Sequence, residues 1–560
     1  MTPLAELREA VLAATAELTG GEHPHGTLTL ERPPRPDFGD YSTNAALLLA
    51  PVMKQPPRAV AERLGEQLTR ELGASVGRVE VAGPGFLNVF FDDSWFRSGV
   101  ARVIAEGRRF GAGGTPEPEQ VNIEFVSTNP TGPLTVAHGR HAAYGDALAR
   151  ILTFHGHDVT REFYVNDYGS QVRRLAESIR ARAYGQPPPP DGYQGEYVAE
   201  LVDLDRAREL DLDTLGQEAV AACLAMFRRT LERFDVRFDV WFSERTLHDG
   251  DPSPVQRELA ELHRRGESYR SDGALWLRTT AHGDDKDRVL ERSTGDHTYL
   301  ASDVAYHQNK LARGFDRLID VWGADHHGYI ARMKAALAAL GADPNRLELI
   351  ILQFVHLIEG GDRTQMSKRS GDFVTLDDLI AEIGADAARY FLLARSADTT
   401  VDLDLDLARA ESSDNPVYYV QYAHARIVSV LAKAGEARVA EALADPARQD
   451  GRPGEEPSLP ALEPAERSLI KTILAFPEEV AEAALRRAPH RIATYALALA
   501  QDFTAFYGAC RIVGAEAGVE SFRIALAVAS RDTIAEALSL LGVSAPQHMS
   551  RDPAPAGQVS

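Results

Sequence analysis

The alternation of hydrophobic and polar positions changes character twice along the chain. From Leu4 to Leu18 apolar residues recur at helical spacing, and the Pro-rich segment ERPPRPDFGDYSTNAALLLA runs into an apolar helix expected from about Ser42. A further helix is expected over Pro57 to Leu72, and RVEVAGPGFLNVFF reads as a strand, a Gly83-Pro84-Gly85 turn and a second strand. Residues 1–112 therefore read as a small α+β domain, joined to the rest through EPEQ at 117–120. From Val121 the pattern shortens. VNIEFVS predicts a buried strand, TNPTGPLTVA a loop, HGRHAAYGDALARILTFHG a helix closed by Gly156, and DVTREFYV another strand. Similar units at RLIDVWGADHHGYIARMKAALAALG and LELIILQFVHLIEGG predict an α/β, doubly wound parallel sheet over residues 113–385, with PPPP at 187–190 marking a surface insertion. Beyond about Ala385 the strands vanish and long amphipathic helices follow, so 386–550 reads as an all-α bundle and 551–560 as a disordered tail.

Composition narrows this picture little. A chain of 560 residues is too long for one core, and 44% hydrophobic with 25% charged residues is ordinary for a globular protein. Cys223 and Cys510 lie far apart and outside any metal-ligand spacing, which predicts two reduced thiols. The opening MTPLAELREA carries charge at once, and no apolar run is long enough to cross a bilayer, so no membrane partner and a cytoplasmic location are expected. The net charge of −22 argues, taken alone, against nucleic acid. Phosphate affinity depends on local patches rather than the sum, and the basic residues here are overwhelmingly arginine, whose fork geometry suits phosphate. Charge decides nothing.

Four segments carry candidate chemistry. The loop from Ser127 to Arg140 delivers Asn129, Thr131 and Gly132, then Val136-Ala137-His138-Gly139, to a helix N-terminus, where free N–H groups and the helix dipole favour an anion. Its bland alternative is a β–α turn with a capping histidine. Met366-Ser367-Lys368-Arg369 lies between Gly360-Gly361 and Gly371, a glycine-bounded cationic loop suited to closing over a polyphosphate, or else a solvated basic turn. Glu124, Asp167, Tyr299 and Asp303 form an acidic and hydroxyl set that wants a cation, unless they are ordinary surface acids among the 82 in the chain. GADHHG, Gly323 to Gly328, follows an apolar strand at the point where open α/β sheets place ligands. The His-His pair invites a zinc reading, but no third ligand stands at suitable spacing and no resident metal is expected.

Their order along the chain resembles a class I aminoacyl-tRNA synthetase. Val136-Ala137-His138 stands where that class has His-Ile-Gly-His, and Gln365 to Arg369 where it has Lys-Met-Ser-Lys-Ser. EFVSTNPTGPL, YVNDYGSQ, TYLASDVAYH, VWGADHHGY and MSKRSGDFVTLDDLI resemble blocks of the arginine-specific family. So do PDFGDYSTNAAL and AGPGFLNV near the start and NPVYYVQYAHARI and LGVSAPQHM near the end, so the likeness runs from about Pro36 to Met549. It implies a Rossmann-type catalytic domain between an N-terminal tRNA-contacting domain and a helical anticodon-binding domain. It further implies a ligase that activates L-arginine with ATP, Mg²⁺ accompanying the ATP, and passes it to its tRNA; a monomer is expected. By position, it assigns ATP to Thr135, Val136, Ala137, His138, Gly139, Gly323, Asp325, Met366, Ser367 and Lys368, with His138 and Lys368 catalytic. Arginine falls to Glu124, Ser127, Asn129, Asp167, Tyr299 and Asp303, and tRNA to Tyr419, Tyr422 and Arg426. The sequence departs from the pattern at Thr135, where the first signature usually opens with histidine, at Ala137 for its glycine, and at Gln365 for a lysine. Two rival readings stay open: a tRNA-binding paralogue without activity, suggested by Thr135 and Ala137, and a small-molecule nucleotidyltransferase sharing the nucleotide fold. An RNA-binding acidic protein must also gather its arginines on one face, for which Arg426 and the run Arg486, Arg487 and Arg491 are the candidates.

Overall fold

The N-terminal part is built from α1 (Pro3–Thr19), β1 (Leu30–Glu31), β2 (Tyr41–Thr43), α2 (Ala45–Met53), α3 (Pro57–Leu72), β3 (Val76–Ala82), β4 (Phe86–Phe91) and α4 (Asp93–Glu106). The computed structural model describes residues 2–21, 26–364, 374–444 and 460–549. Its four strands pair antiparallel in the order β1-β2-β4-β3. Ser42 does not start a helix, as the apolar run suggested. It pairs with Asn88 in β2, and the Thr43 hydroxyl accepts the Ala45 N–H as α2 begins. Two β-prone residues, Tyr41 and Thr43, override the apolar continuity here.

The middle of the chain holds β5 (Gln120–Glu124), α5 (Val136–His155), β6 (Asp158–Val165), α6 (Ser170–Ala183), α7 (Leu204–Glu209), α8 (Leu212–Arg233), β7 (Val240–Ser243), α9 (Pro254–Arg264), β8 (Ser268–Ser271), β9 (Ala274–Leu277), β10 (Arg288–Glu291), α10 (Tyr299–Ala312), β11 (Arg317–Gly323), α11 (Ile330–Ala339), β12 (Leu347–Leu352), β13 (Val355–Glu359), β14 (Asp362–Thr364), α12 (Leu376–Ile383), α13 (Ala385–Leu393), β15 (Val401–Asp404) and α14 (Leu405–Arg409). Five strands form one parallel sheet in the order β12-β11-β5-β6-β7. The chain enters at β5, winds outward through β6 and β7, then returns to the other side of β5 with β11 and β12. The strand order therefore reverses between β5 and β11, and the crevice beyond their carboxyl ends is where such sheets bind ligands.

The insertion holding PPPP folds as α6 to α8 around its own small core of Leu175, Ile179, Leu215 and Cys223. A second excursion, the antiparallel meander β8–β9–β10, has no counterpart in the sequence reading. Nor do strands vanish at Ala385: β15 pairs in parallel with β13, its Val401 and Leu403 buried. The remaining chain is helical: α15 (Pro416–Ala434), α16 (Glu436–Ala444), α17 (Pro464–Leu474), α18 (Phe476–Leu485), α19 (His490–Ala509) and α20 (Ala517–Leu541). Its apolar faces merge with those of α4 and α5 into one continuous core. Among the described residues no helix is long and apolar enough to cross a membrane.

Candidate active site

The loop from β5 to α5 bends sharply. Val126 and Ser127 both have positive φ, 69° and 35°, a conformation that costs a β-branched residue about 1–3 kcal/mol and persists where the surroundings demand it. The Ser127 hydroxyl accepts the Tyr164 N–H at 3.0 Å, tying the loop to β6. Beneath it Phe125 fits against α5 only because residue 145 is glycine; a Cβ there would lie 2.1 Å from the Phe125 ring. Asn129 accepts the Thr131 N–H through its carbonyl at 2.8 Å, and the Tyr197 hydroxyl from the α6–α8 insertion holds the Thr131 carbonyl at the same distance.

Thr135 is the N-cap of α5, and His138 at the third helical position completes a reciprocal capping box. The ring Nδ1 accepts the Thr135 N–H at 3.0 Å and lies 3.1 Å from the Thr135 hydroxyl oxygen. Burial pushes the His138 pKa down to about 4, so the ring is neutral at pH 7. With Nδ1 accepting, the ring proton resides on Nε2, which makes that nitrogen a donor. Val136 is buried and Ala137 is exposed on the first turn. Gly139 allows α12 to approach: a Cβ would meet Leu376 at 2.7 Å. The Leu376 N–H donates to the Leu134 carbonyl at 2.7 Å and Val136 N–H to the Val374 carbonyl at 3.3 Å. Met366, Ser367 and Lys368 lie outside the described residues, but the chain that follows them is thus docked on the first signature.

On the far side of the crevice stand the acids. Glu124 ends β5, buried, and accepts from the Lys310 ammonium. Asp303, on α10, takes the Tyr329 hydroxyl at 2.5 Å. Burial pushes the Asp303 carboxyl up to about 6; Tyr329 and His307 pull it down, and the Glu124 and Glu244 carboxylates push it up. Glu244, from the single 3₁₀ turn Glu244–Leu247 after β7, is buried with its Oε2 unpartnered. Tyr164 lies among all three: burial raises its hydroxyl, and Glu244, Asp303 and Glu124 raise it further. Three carboxylates from separate elements thus surround one space, which calls for a cation. Tyr299 stands 66% exposed at the rim, where α10 begins. Asp167 accepts the Ser243 hydroxyl at 2.6 Å and the Arg245 N–H at 3.1 Å. GADHHGY leaves β11 as a 3₁₀ turn, Ala324–Tyr329, preceded by Gly323, with His326 beside Trp322, and returns Tyr329 to Asp303. The Asp325 backbone lies in that turn.

Of these groups Glu244, Tyr329, Tyr164 and Lys310 were not foreseen. Tyr329 could have been, since it directly follows GADHHG; Glu244 sits in SERTL, a run with no local signal. In the helical domain Tyr422 and Arg426 line a cavity of about 480 Å³ together with Tyr507, His548 and Met549. The Arg426 guanidinium lies 4.7 Å from the Tyr422 ring centre and 5.2 Å from that of Tyr507. Tyr419 packs instead against the core. Arg486, Arg487 and Arg491 are tied to Glu482, Glu348 and Glu479, so that run is less free for phosphate than its sequence suggested.

A parallel sheet with a nucleotide-type helix N-terminus at its switch point, the start of α12 docked on that first signature, and an appended helical bundle define a class I aminoacyl-tRNA synthetase. The family model described as tRNA synthetases class I (R), catalytic domain, matches residues 99–187 and 197–412. Arginyl tRNA synthetase N terminal domain matches 5–91, and DALR anticodon binding domain matches 420–549. The chain is 45% identical to the arginine–tRNA ligase of Moorella thermoacetica, over 96% of this chain and 97% of the relative. It is 43% identical to that of Bacillus subtilis, over 97% and 98%. The solved arginyl-tRNA synthetase of Thermus thermophilus superimposes with a TM-score of 0.76 at 25% identity, over 98% of this chain and 100% of that one. The chain belongs to the arginyl-tRNA synthetase family.

Proposed function

We propose that the crevice between β5 and β11 binds L-arginine by its guanidinium with ATP beside it, and that the chain joins the two before passing arginine to the 3′-terminal ribose of its tRNA. The observation that carries this reading is the convergence of Glu124, Asp303 and Glu244, one with an unpaired oxygen, next to the N-terminus of α5. A guanidinium is a permanent cation with five donors and answers several carboxylates at once. Lysine would leave some of them unpaired, which is the costly error that buried polar recognition rejects.

In this reading Glu124, Asp303 and Glu244 take the guanidinium, Tyr299 closes over it from the rim, and Ser127 and Asn129 hold the amino-acid backbone groups. Asp167 shapes the wall rather than touching the substrate. Thr135, Val136, Ala137, His138 and Gly139 present the first turn of α5 to the triphosphate, with His138 donating through Nε2. Gly323 and Asp325 flank the adenosine, and Met366, Ser367 and Lys368 cover the phosphates. Mg²⁺ enters as part of the MgATP substrate. The arginine carboxylate attacks the α-phosphorus and pyrophosphate leaves; a ribose hydroxyl of the tRNA then attacks the carbonyl and AMP leaves. Neither step needs a strong base, and both gain from alignment and from donors aimed at developing negative charge.

Tyr422 and Arg426, with Tyr507, offer stacking faces and a cation to the anticodon loop; Tyr419 supports them from the core side. The N-terminal domain contacts the body of the tRNA. We divide the chain after residue 112, but carry the catalytic domain past 385 to the loop before α15, because β15 pairs with β13. The chain acts as a cytoplasmic monomer. Arginine-dependent ATP–pyrophosphate exchange, run with and without tRNA, tests the reading. Exchange with arginine and not with lysine is expected; absence of arginine-dependent exchange even with tRNA would overturn it.

A further inference from the structure

Three acids stand side by side across the centre of the parallel sheet. The strand register sets Asp320 of β11 against Glu124 of β5, and Glu124 against Glu162 of β6. Neighbours in register project to the same face, so this is one row of buried carboxylates. Such a row cannot remain ionised without cations at hydrogen-bond distance. The helix laid over it, α10, supplies them at every third position: His307, Lys310 and, just past its end, Arg313. His307 Nε2 lies 2.7 Å from Asp320 Oδ2. Arg313 and the Tyr306 hydroxyl each donate to Glu162 at 2.8 Å. Lys310 bridges one end of the row and its middle, donating to Asp320 Oδ1 at 2.9 Å and to Glu124 Oε2.

Only one member of the row faces the crevice. The Glu124 side chain keeps 8% of its surface exposed, against 1% for Asp320 and 0% for Glu162 and for Lys310. No substrate can reach Lys310. We propose that Lys310 is a positioning residue for arginine recognition, its ammonium gripping one oxygen of Glu124 from behind and turning the other toward the guanidinium. The proposal rests on the reading of Glu124 as a guanidinium partner. Burial pushes the Glu124 carboxyl above its ordinary range, and Lys310 is the strongest influence pulling it back; Asp320 pushes it up and His307 pulls it down. The other ionisable groups around it are Asp303 and Tyr306 of α10, Glu162 and Tyr164 of β6, and Glu244 after β7. Without Lys310 the carboxylate loses both its anchor and its main counter-ion.

The test is steady-state arginylation by the full chain with tRNA, comparing Lys310→Met, Lys310→Arg, Glu124→Gln and the double variant K310M/E124Q. Lys310→Met should raise the arginine KM about tenfold or more while the ATP KM stays within about twofold. The arginine KM of Lys310→Met should fall more steeply with rising pH than that of the parent chain, because the Glu124 carboxyl loses the main influence that pulls it back. In the E124Q background the same change should add little, because both act on one contact. If Glu124→Gln leaves the arginine KM unchanged, the guanidinium reading of Glu124 itself fails. If Glu124→Gln raises it but Lys310→Met does not, or if the two effects add fully, the positioning role is overturned. Should Lys310→Met fail to melt cooperatively, Lys310→Arg decides. It retains the charge but displaces it, so a rise in arginine KM of about threefold or more with no new pH dependence supports the role, and an unchanged KM refutes it.

Discussion

His138 uses its two ring nitrogens differently. Nδ1 caps α5 through Thr135, which fixes the ring, and leaves Nε2–H as the donor for the phosphate contact proposed above. The capping role is therefore compatible with the proposed phosphate role. Asp303 behaves in the opposite electrostatic sense. Its carboxyl is pushed up to about 6, so in the empty crevice a large fraction is protonated below that pH. A guanidinium binds the ionised form, so binding expels the proton and is favoured by rising pH. The arginine KM should fall as pH climbs through about 6 and then level off, and in Asp303→Asn it should be raised about tenfold or more and lose that step. A matching rise in the ATP KM would indicate a damaged fold instead. Lys368→Ala should slow adenylate formation by about 10²-fold or more with arginine binding almost unchanged. Near-normal pre-steady-state adenylate formation would remove that side chain from the mechanism. The signature residues were legible in sequence because their chemistry sits in short runs. Glu244 and Lys310 were not, because Glu244 comes to the crevice, and Lys310 to the carboxylate behind it, only through the packing of elements far apart in the chain.

At the scale of elements α5 is the link between the chemistry and the helical domain. Its first turn carries Thr135 and His138; its middle carries Asp146, buried beneath the Arg389 guanidinium of α13. Arg389 also donates to the Leu541 carbonyl at the end of α20 and to that of Phe234, both at 2.9 Å. Arg150 and the Tyr144 hydroxyl add bonds to the Ser539 and Arg487 carbonyls. Arg389→Ala should cost about 3 kcal/mol, because it strips partners from buried carbonyls and opens a cavity at the junction. A thermal melt unchanged within about a degree would mean that the junction is held elsewhere. The helix itself was readable from its period and from Gly156 at its end. The meander β8–β10 was not, since strands of four residues bury too few alternating positions to stand out. β15 was missed although VDLDLDL alternates with the period of a strand, because aspartate, which strands disfavour, fills every second position.

Over the whole molecule the difficulty is the net charge of −22 on a chain whose family handles tRNA. Much of the arginine content is occupied internally: Arg486, Arg487 and Arg491 each hold a glutamate, and Arg467 bridges Asp40 and Asp93 between the helical and N-terminal parts. Phosphate contact then falls to fewer arginines, and the cavity around Arg426 relies on two aromatic rings as much as on charge. Each phosphate neutralised releases counterions, so tRNA affinity should still fall as salt rises, with a slope set by the small number of contacts. Arginine affinity should respond far less, since Glu124 and Glu244 are buried and poorly screened. Filter binding of tRNA between 50 and 200 mM salt, on the order of the range where such slopes are measured, alongside the arginine KM, separates the two. Arg426→Ala should lower tRNA affinity with little change in slope if stacking dominates, and should reduce the slope by about one if Arg426 meets a phosphate. A flat tRNA response in the parent chain would mean that this acidic protein does not hold RNA through its arginines at all, and the proposed anticodon contact at Arg426 would fall with it.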